Sequence, residues 1–335
     1  MIIRKNIPLA PYTTFKTGGV AKFFCEIRTS EDLTESLRLA KKEKLKIFIL
    51  GGGSNLLIND GGFNGLVIRL VNNSVEWKDT ACLAEAGIRL NDLISSAKEK
   101  NRGGMEWAYG IPATLGGAAR NNAGAFGCEF SNQIDSVRVF DLKKEDFITV
   151  EKKDCDYSYR HSVFQKNPDW IIWQVSLAWE KCPKEQIEKN ILSYLKKRKE
   201  SQPLEYPSAG SFFRNPPISH LEKDKKNQIV NRFIQDELKK TGKKENSRDF
   251  QKAETELREK INKSGTLPAG YFIEKAGLKG RAIGGVLVSN KHANFIINTG
   301  NAKTEDIAIL ASIIKQKVRT KFGIQLHEEV EYVGF

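Results

Sequence analysis

Several residue types and patterns are scarce in these 335 residues, and each scarcity narrows the reading. The five cysteines, Cys25, Cys82, Cys128, Cys155 and Cys182, are odd in number and scattered, with no CxxC pair. That excludes a disulfide framework and a structural zinc site, and no metal is expected. Histidine is limited to His161, His220, His292 and His327. The strongest apolar run, Trp170–Trp179, is interrupted by Gln174 and Ser176. A bilayer-spanning helix needs about 20 apolar residues, so no membrane segment is expected. Neither a GxGxxG fingerprint nor a Gly-Lys-Ser/Thr phosphate loop occurs, which removes two common nucleotide signatures. Solenoid repeats and low-complexity tracts are also missing. The opening MIIRKNIPLAPYTTF reaches proline-rich sequence before an apolar core can form. No signal peptide is expected there, and a cytoplasmic location is.

What is present is globular and basic. Hydrophobic residues make up 40% of the chain, and 54 basic against 41 acidic side chains leave a formal charge of +13. Two or three domains are expected. The charge permits nucleic acid, an acidic surface or phosphorylated small molecules as partners, without choosing between them. Ser30–Lys44 has a Ser cap, acids in its first turn, bases in its last and an apolar face of Leu33, Leu37 and Ala40, which predicts a helix. Lys46–Leu50, Leu66–Leu70, Val137–Phe140 and Trp170–Glu180 read as strands, and Asn91–Lys100 as a helix. Lys184–Glu200 reads as a basic helix with Ile187, Ile191, Leu192 and Leu195 on one side, its run Lys196–Lys199 a solvated face rather than one that steers anionic ligands. Gln202–Gly210, with two prolines and a glycine, is the expected domain crossing. Ile218–Gly265 is dominated by charged and amide residues, and its periodicity predicts two amphipathic helices joined at Thr241–Lys244. Thr304 is read as the cap of a last helix that ends at Phe322-Gly323. Together these elements point to an α+β fold.

Two segments could carry chemistry. Gly51-Gly52-Gly53-Ser54-Asn55 follows the strand ending at Leu50, where glycines let backbone N–H groups turn toward an anion. Alone it reads equally as a strand-end turn. Residues 110–127, GIPATLGGAARNNAGAFG, form a long stretch of small side chains that suits neither an ordinary helix nor a strand. Small residues let backbone approach a flat or charged ligand closely, and two such segments suggest a dinucleotide held largely by main chain.

With Phe15–Ala21 (FKTGGVA) and the GGGSNLL and GIPATLGGAARNNAGAFG segments, the chain resembles the UDP-N-acetylenolpyruvoylglucosamine reductase family. Tyr159–Phe164, Pro207–Pro216 (with Arg214 where the family has lysine), Ala269–Gly280, Ser289–Ile296 and Leu326–Val330 extend the resemblance over nearly the whole length. It implies an FAD-binding domain of the vanillyl-alcohol-oxidase (PCMH) type in two subdomains, plus a C-terminal α/β substrate-binding domain. The corresponding limits are 1–200 (core about 17–182), 201–320 with the charged insertion 218–265, and a segment 321–335 returning to the active site. It also implies FAD, non-covalently bound, NADPH as electron donor and UDP-N-acetylglucosamine-enolpyruvate as substrate. Nucleic acid and membrane are not expected partners, and a monomer is expected.

By motif position, the resemblance places Ser211 as proton donor, Arg160 beside the developing oxyanion and Glu329 as the group activating the enolpyruvate or acting as an alternative acid. Only one of Glu328 and Glu329 can point inward if the segment is extended. Cofactor contacts fall on Gly51, Gly52, Gly53, Ser54, Asn55, Gly110, Ile111, Pro112, Thr114, Gly116, Gly117, Asn121, Gly124 and Ala125. Asn215 and Lys279 are assigned to the UDP portion and His292 to the sugar or its lactyl group. Cys128, just after Gly127, is expected to pack as a small apolar residue rather than attach the flavin. The insertion is read either as a cover over the UDP end of the substrate or, equally, as an inert decoration or partner-docking surface. Two alternatives stand beside this reading: a flavin-dependent oxidase of the same superfamily acting on another substrate, and a basic protein binding nucleic acid through the lysine-rich insertion, with a steep salt dependence.

Overall fold

A computed structural model describes residues 1–219, 221–240, 242 and 247–335. They divide into two units: Met1–Ala209 with Lys303–Glu305 and Glu331–Phe335, and Gly210–Ala302 with Asp306–Val330. The architecture is α+β. No helix among the described residues is long and apolar enough to cross a membrane.

The first unit holds two main sheets. Strands β1 (Ile3–Pro8) and β2 (Val20–Ile27) are antiparallel, and helix α1 (Ser30–Lys42) leads to β3 (Lys46–Leu50). After β4 (Leu56–Ile58), β5 (Phe63–Leu70) inserts parallel between β2 and β3. Strands inside this sheet read as apolar runs because α1 buries Leu33, Leu37 and Ala40 against it. The cap of α1 is Thr29, not the expected Ser30: Thr29 Oγ1 accepts from Asp32 N at 3.2 Å. Ser30 already has a place in the helix, and its hydroxyl donates to Glu31 Oε1 instead.

Next come β6 (Val75–Lys78), β7 (Ala81–Glu85), α2 (Leu90–Glu99), β8 (Arg102–Gly103), α3 (Leu115–Arg120), and the short pair β9 (Gly124–Ala125) and β10 (Cys128–Glu129). β11 (Ile134–Asp141), β12 (Asp146–Glu151), α4 (Val163–Lys166) and β13 (Trp170–Ala178) follow. The second sheet is antiparallel throughout, in the order β12-β11-β13-β7-β6. The expected strand Trp170–Glu180 stops at Ala178; β14 (Glu180–Lys181) pairs instead with β8. Helix α5 (Lys184–Ser201) buries Ile187 and Ile191 as expected. Two of its residues differ from expectation: Leu192 is 61% exposed, whereas Arg198, read as part of a solvated run, is only 6% exposed. Helical phase explains both, since Arg198 follows Ile187 and Ile191 on the inner stripe and Leu192 has turned off it.

In the second unit, α6 (Lys223–Lys240) and α7 (Arg248–Ser264) occupy the charged region. The expected junction Thr241–Lys244 lies outside the described residues except for Gly242. Helix α6 buries Phe233, Ile234 and Leu238. It is fastened to α8 (Ala269–Lys275): Phe233 stacks edge-on against Tyr271 at 5.0 Å, and Asp236 reaches the Tyr271 hydroxyl at 3.2 Å and Lys275 Nζ at 2.9 Å. An antiparallel sheet of β15 (Ala282–Ile283), β16 (Val286–Val288) and β17 (Ile296–Asn298) follows. Helix α9 (Thr304–Phe322) begins at Thr304, which is therefore its first residue rather than its cap. Thr304 N donates to Asp60 Oδ2 at 2.8 Å, and its hydroxyl lies 2.7 Å from Ile58 O. Gly323, at φ +71, ends the helix with its N–H on Arg319 O. The final strand, β18 (Glu331–Val333), belongs to the first unit and pairs parallel with β4.

Candidate functional site

In the first unit, β3 runs directly into Gly51–Asn55, and this turn abuts the second glycine-rich segment. A Cβ on Gly51 would lie 2.6 Å from Thr114 Oγ1, and one on Gly52 would lie 2.7 Å from Pro112 O and 3.0 Å from Ala113 Cα. Gly53 has φ +64, and a Cβ there would lie 2.0 Å from Tyr12 O. Handedness and contact together therefore require glycine at 53. Among the described residues, none accepts a hydrogen bond from the N–H of Gly51, Gly52, Gly53 or Ser54. Asn55 is anchored through its carbonyl, which accepts from Glu331 N at 3.0 Å.

The second segment is built to hold that turn. Gly110, at φ +88, donates its N–H to Asn91 Oδ1 at 2.8 Å, and Ile111 N bonds Ala108 O. Pro112 is exposed. Gly116 packs on Ala86, whose Cβ would lie 2.9 Å from an added Cβ, whereas among the described residues a Cβ on Gly117 would meet only Thr114 Oγ1, at 3.6 Å. Packing within the protein thus demands a small residue at 116 but not at 117. Asn121 Oδ1 accepts from Gln165 at 3.0 Å, and Gly124 and Ala125 form β9. Beneath the Gly110 turn, buried Arg198 donates to Trp107 O at 2.9 Å and Tyr109 O at 3.2 Å, and its guanidinium lies 5.0 Å from the Phe126 ring centre. Burial lowers its pKa below the usual arginine value. A cavity of about 600 Å³ lined by Leu37, Arg38, Leu45, Phe140 and Leu142 among others includes no residue of either glycine-rich segment.

Arg160 is held by this same segment. It sits at φ +54 in a tight turn closed by mutual hydrogen bonds between Ser158 and His161. Its Nη2 donates to Gly124 O at 2.7 Å and its Nη1 reaches Asn122 O at 3.4 Å, with the Tyr159 ring 5.2 Å away. Asn122, fully buried at φ +42, ties the region together: its Nδ2 donates to Ser158 O and Glu129 Oε2, and its Oδ1 accepts from Ser131 N. Cys128 is half-buried and packs against the core, where burial raises its thiol pKa.

In the second unit, Ser211–Arg214 is clasped on both sides. Ser211 bridges Phe295, and Phe213 bridges Glu328. Glu329 N donates to Phe212 O at 2.8 Å, and Arg214 N to His327 O at 2.9 Å. Ser211 and Glu329 thus belong to one small ladder. Glu328 pairs with Lys315 of α9 at 2.6 Å, and Glu329 follows it at a bend in the chain. Arg214 Nε is buried without a partner among the described residues. Asn215 Oδ1 accepts from Ala269 N at the start of α8, and His292 approaches the same end, 3.5 Å from where a Cβ on Gly270 would lie. The His292 pKa is lowered, chiefly by burial, and its Nδ1 accepts from Asn294 N at 3.2 Å. Lys279 pairs with Glu274 at 2.9 Å. The structure therefore gathers Asn215, Lys279 and His292 around α8.

Sequence reasoning missed Arg198, Asn122, Lys315 and Asn294. Arg198 had a signal in its phase with Ile187 and Ile191. Asn294 lies inside a quoted motif, but nothing in its type announces what it binds.

Residues 21–150 match the profile of an FAD binding domain, and residues 202–333 that of the UDP-N-acetylenolpyruvoylglucosamine reductase C-terminal domain. The UDP-N-acetylenolpyruvoylglucosamine reductase of Caldanaerobacter subterraneus subsp. tengcongensis is 34% identical over 98% of this chain and 93% of its own length. That of Clostridium kluyveri is also 34% identical, over 99% and 93%. The crystal structure of UDP-N-acetylenolpyruvylglucosamine reductase (MurB) from Thermus caldophilus superposes with a TM-score of 0.72 at 26% identity, covering 99% of this chain and all of that one. With near-complete coverage by relatives above 30% identity, the chain belongs to the UDP-N-acetylenolpyruvoylglucosamine reductase family.

Proposed function

We propose that this protein reduces the enolpyruvyl group of UDP-N-acetylglucosamine-enolpyruvate at the expense of NADPH, giving UDP-N-acetylmuramate for peptidoglycan synthesis. The observation that carries the reading is full-length family membership combined with a motif serine and a motif glutamate joined in one ladder, Ser211–Arg214 against His327–Glu329. FAD is the cofactor and NADPH the electron donor. When bound, FAD relays the hydride of NADPH to the enolpyruvyl double bond.

The residues present fit FAD. Gly51–Ser54 offers four backbone N–H groups with no acceptor among the described residues, a donor set suited to a pyrophosphate. Gly117 leaves space that no described residue fills. Gly51–Asn55, Gly110, Ile111, Pro112, Thr114, Gly116, Gly117, Asn121, Gly124 and Ala125 are the proposed cofactor contacts. Non-covalent attachment is supported by the absence of histidine in both segments and by the packing of Cys128 against the core.

Reduction adds hydride to the distal vinyl carbon, and negative charge develops beside the substrate carboxylate. Ser211 donates the proton that quenches it. A hydroxyl is a weak acid in water, but an enolate is a strong base, so placement matters more than acidity. Arg160 offers a permanent positive charge to the developing oxyanion. Held at Gly124 and Asn122, it spends little rotamer freedom in doing so. Glu329 polarises the enolpyruvate. Asn215 and Lys279 take the UDP portion and His292, whose pKa burial lowers, the sugar. The α6–α7 hairpin covers the UDP end through its attachment to α8. The protein works as a soluble monomer in the cytoplasm.

The test is direct. Purified protein should carry a flavin spectrum and oxidise NADPH only when the enolpyruvyl substrate is added. Oxygen-dependent oxidation of an alcohol without NADPH would instead establish the oxidase reading.

A further inference from the structure

Phe212 and Phe213 break the regular alternation of an extended strand. Consecutive N–H groups in a strand point to opposite sides, yet both of these point at Asn294: Phe212 N donates to Asn294 O at 2.7 Å and Phe213 N to Asn294 Oδ1 at 3.0 Å. Asn294 Nδ2 then returns a hydrogen bond to Phe213 O at 2.8 Å. A single side-chain amide thus occupies both polar groups of one residue, as a neighbouring strand would. Asn294 is 4% exposed, and both side-chain bonds are buried. Bulges of this kind re-aim side chains beside active sites, and the residue immediately before this one is Ser211.

We propose that Asn294 is the positioning residue for the Ser211 hydroxyl: its side-chain amide clamps Phe213, fixes the bulge and so sets the direction in which Ser211 delivers its proton. This rests on the reading of Ser211 as proton donor. The other ladder partner cannot do the same work, because Glu329 N takes the Phe212 carbonyl and leaves both polar groups of Phe213 to Asn294.

The chemistry of an amide supplies the test. In an Asn294→Asp variant, a protonated carboxyl keeps the pattern, one oxygen accepting from Phe213 N–H and one O–H donating to Phe213 O. Ionised, it loses the donor and sets a negative oxygen against that carbonyl. Burial raises the pKa of such an acid well above the ordinary value. The titratable and charged groups nearby are His292, Glu329, Arg214 and the Glu328–Lys315 pair. They are common to variant and parent, so the ratio of the two rates isolates the new carboxyl.

The full-length flavoprotein is reduced with NADPH, mixed with the enolpyruvyl substrate in a stopped-flow instrument, and followed by flavin reoxidation from pH 5 to pH 8.5. A misplaced donor costs about 10²-fold, so the variant-to-parent ratio should fall about that far at high pH. It should recover most of the loss on acidification, along one ionisation curve. A ratio near one throughout, or one depressed equally at every pH, overturns the proposal; the latter marks a merely structural defect. Should the variant not fold, amide exchange of the parent decides: slow exchange at Phe213 supports the clamp, and loop-like exchange refutes it. Ser211→Ala run in parallel separates the two levels. If it reoxidises at the parental rate, the donor assignment itself fails, and Asn294 is then left with no hydroxyl to position.

Discussion

Gly117→Ala is predicted to move the stability of the protein and its affinity for FAD in opposite directions. The position lies inside α3, and among the described residues an added Cβ would find only Thr114 Oγ1, at 3.6 Å, an ordinary contact distance. Without cofactor, alanine should therefore stabilise the helix by about 0.5–1 kcal/mol. A shift of that size raises the melting temperature of a unit of this length by roughly 2–4 °C. With cofactor the sign reverses. If FAD rests against Gly117, a methyl group intrudes on a packed contact and costs about 1–3 kcal/mol, or roughly 5- to 150-fold in Kd. Calorimetry of apoprotein and fluorescence titration with FAD measure the two quantities separately. Gly116→Ala is the contrast: its Cβ would lie 2.9 Å from Ala86 Cβ, so it should destabilise apoprotein and holoprotein alike, by about 1–3 kcal/mol. Unchanged FAD affinity in Gly117→Ala would refute the view that the glycine is there for a ligand rather than for the fold.

Other consequences are as open to measurement. Ser211→Ala should bind FAD and accept hydride from NADPH normally but slow the second half-reaction by at least about 10²- to 10⁴-fold; turnover near the parental rate would remove Ser211 from its role. Arg198→Met strips one buried and one partly buried carbonyl of their donor and should lower the stability of the first unit by about 2 kcal/mol in denaturant titration. Burial pushes the thiols of Cys25 and Cys155 up to about 12 and that of Cys82 to about 11. Iodoacetamide at pH 8 should therefore leave these three unmodified in the folded protein, as mass spectrometry of the digest would show. The lowered pKa of His292 means that its contribution to stability is complete above an unfolded value of about 6.5 and is lost as pH falls below it. His292→Phe should weaken the dependence of unfolding on pH between 5 and 6.5. Removing residues 219–264 should raise the KM for the UDP substrate without altering flavin reduction, and an unchanged KM would leave the hairpin without that role.

Much of the fold was legible because it is local. The helices α1, α5, α6, α7 and α9 each show an apolar stripe at helical spacing with charges outside it, and a periodic pattern needs no knowledge of what it packs against. The two glycine-rich segments were equally visible, since no regular element tolerates such composition. Small errors came at boundaries, where adjacent hydroxyls compete. Thr29 and Ser30 could each cap α1, and only the turn of the chain leaving β2 decides for Thr29.

The linear order of residues decided which stretches curl, which extend and which leave backbone bare, because those preferences depend on neighbours a few positions away. Folding decided what meets. Gly52 touches Pro112 and Ala113, some sixty positions on, only because β3 ends beside them. Arg198 is buried because α5 lies under the Gly110 turn, and Asn294 grips Phe213 across 81 residues. An arginine or an asparagine can satisfy many partners, and its type does not say which one. That choice belongs to long-range packing, where burial removes water as the alternative partner and leaves a single arrangement with its donors and acceptors matched.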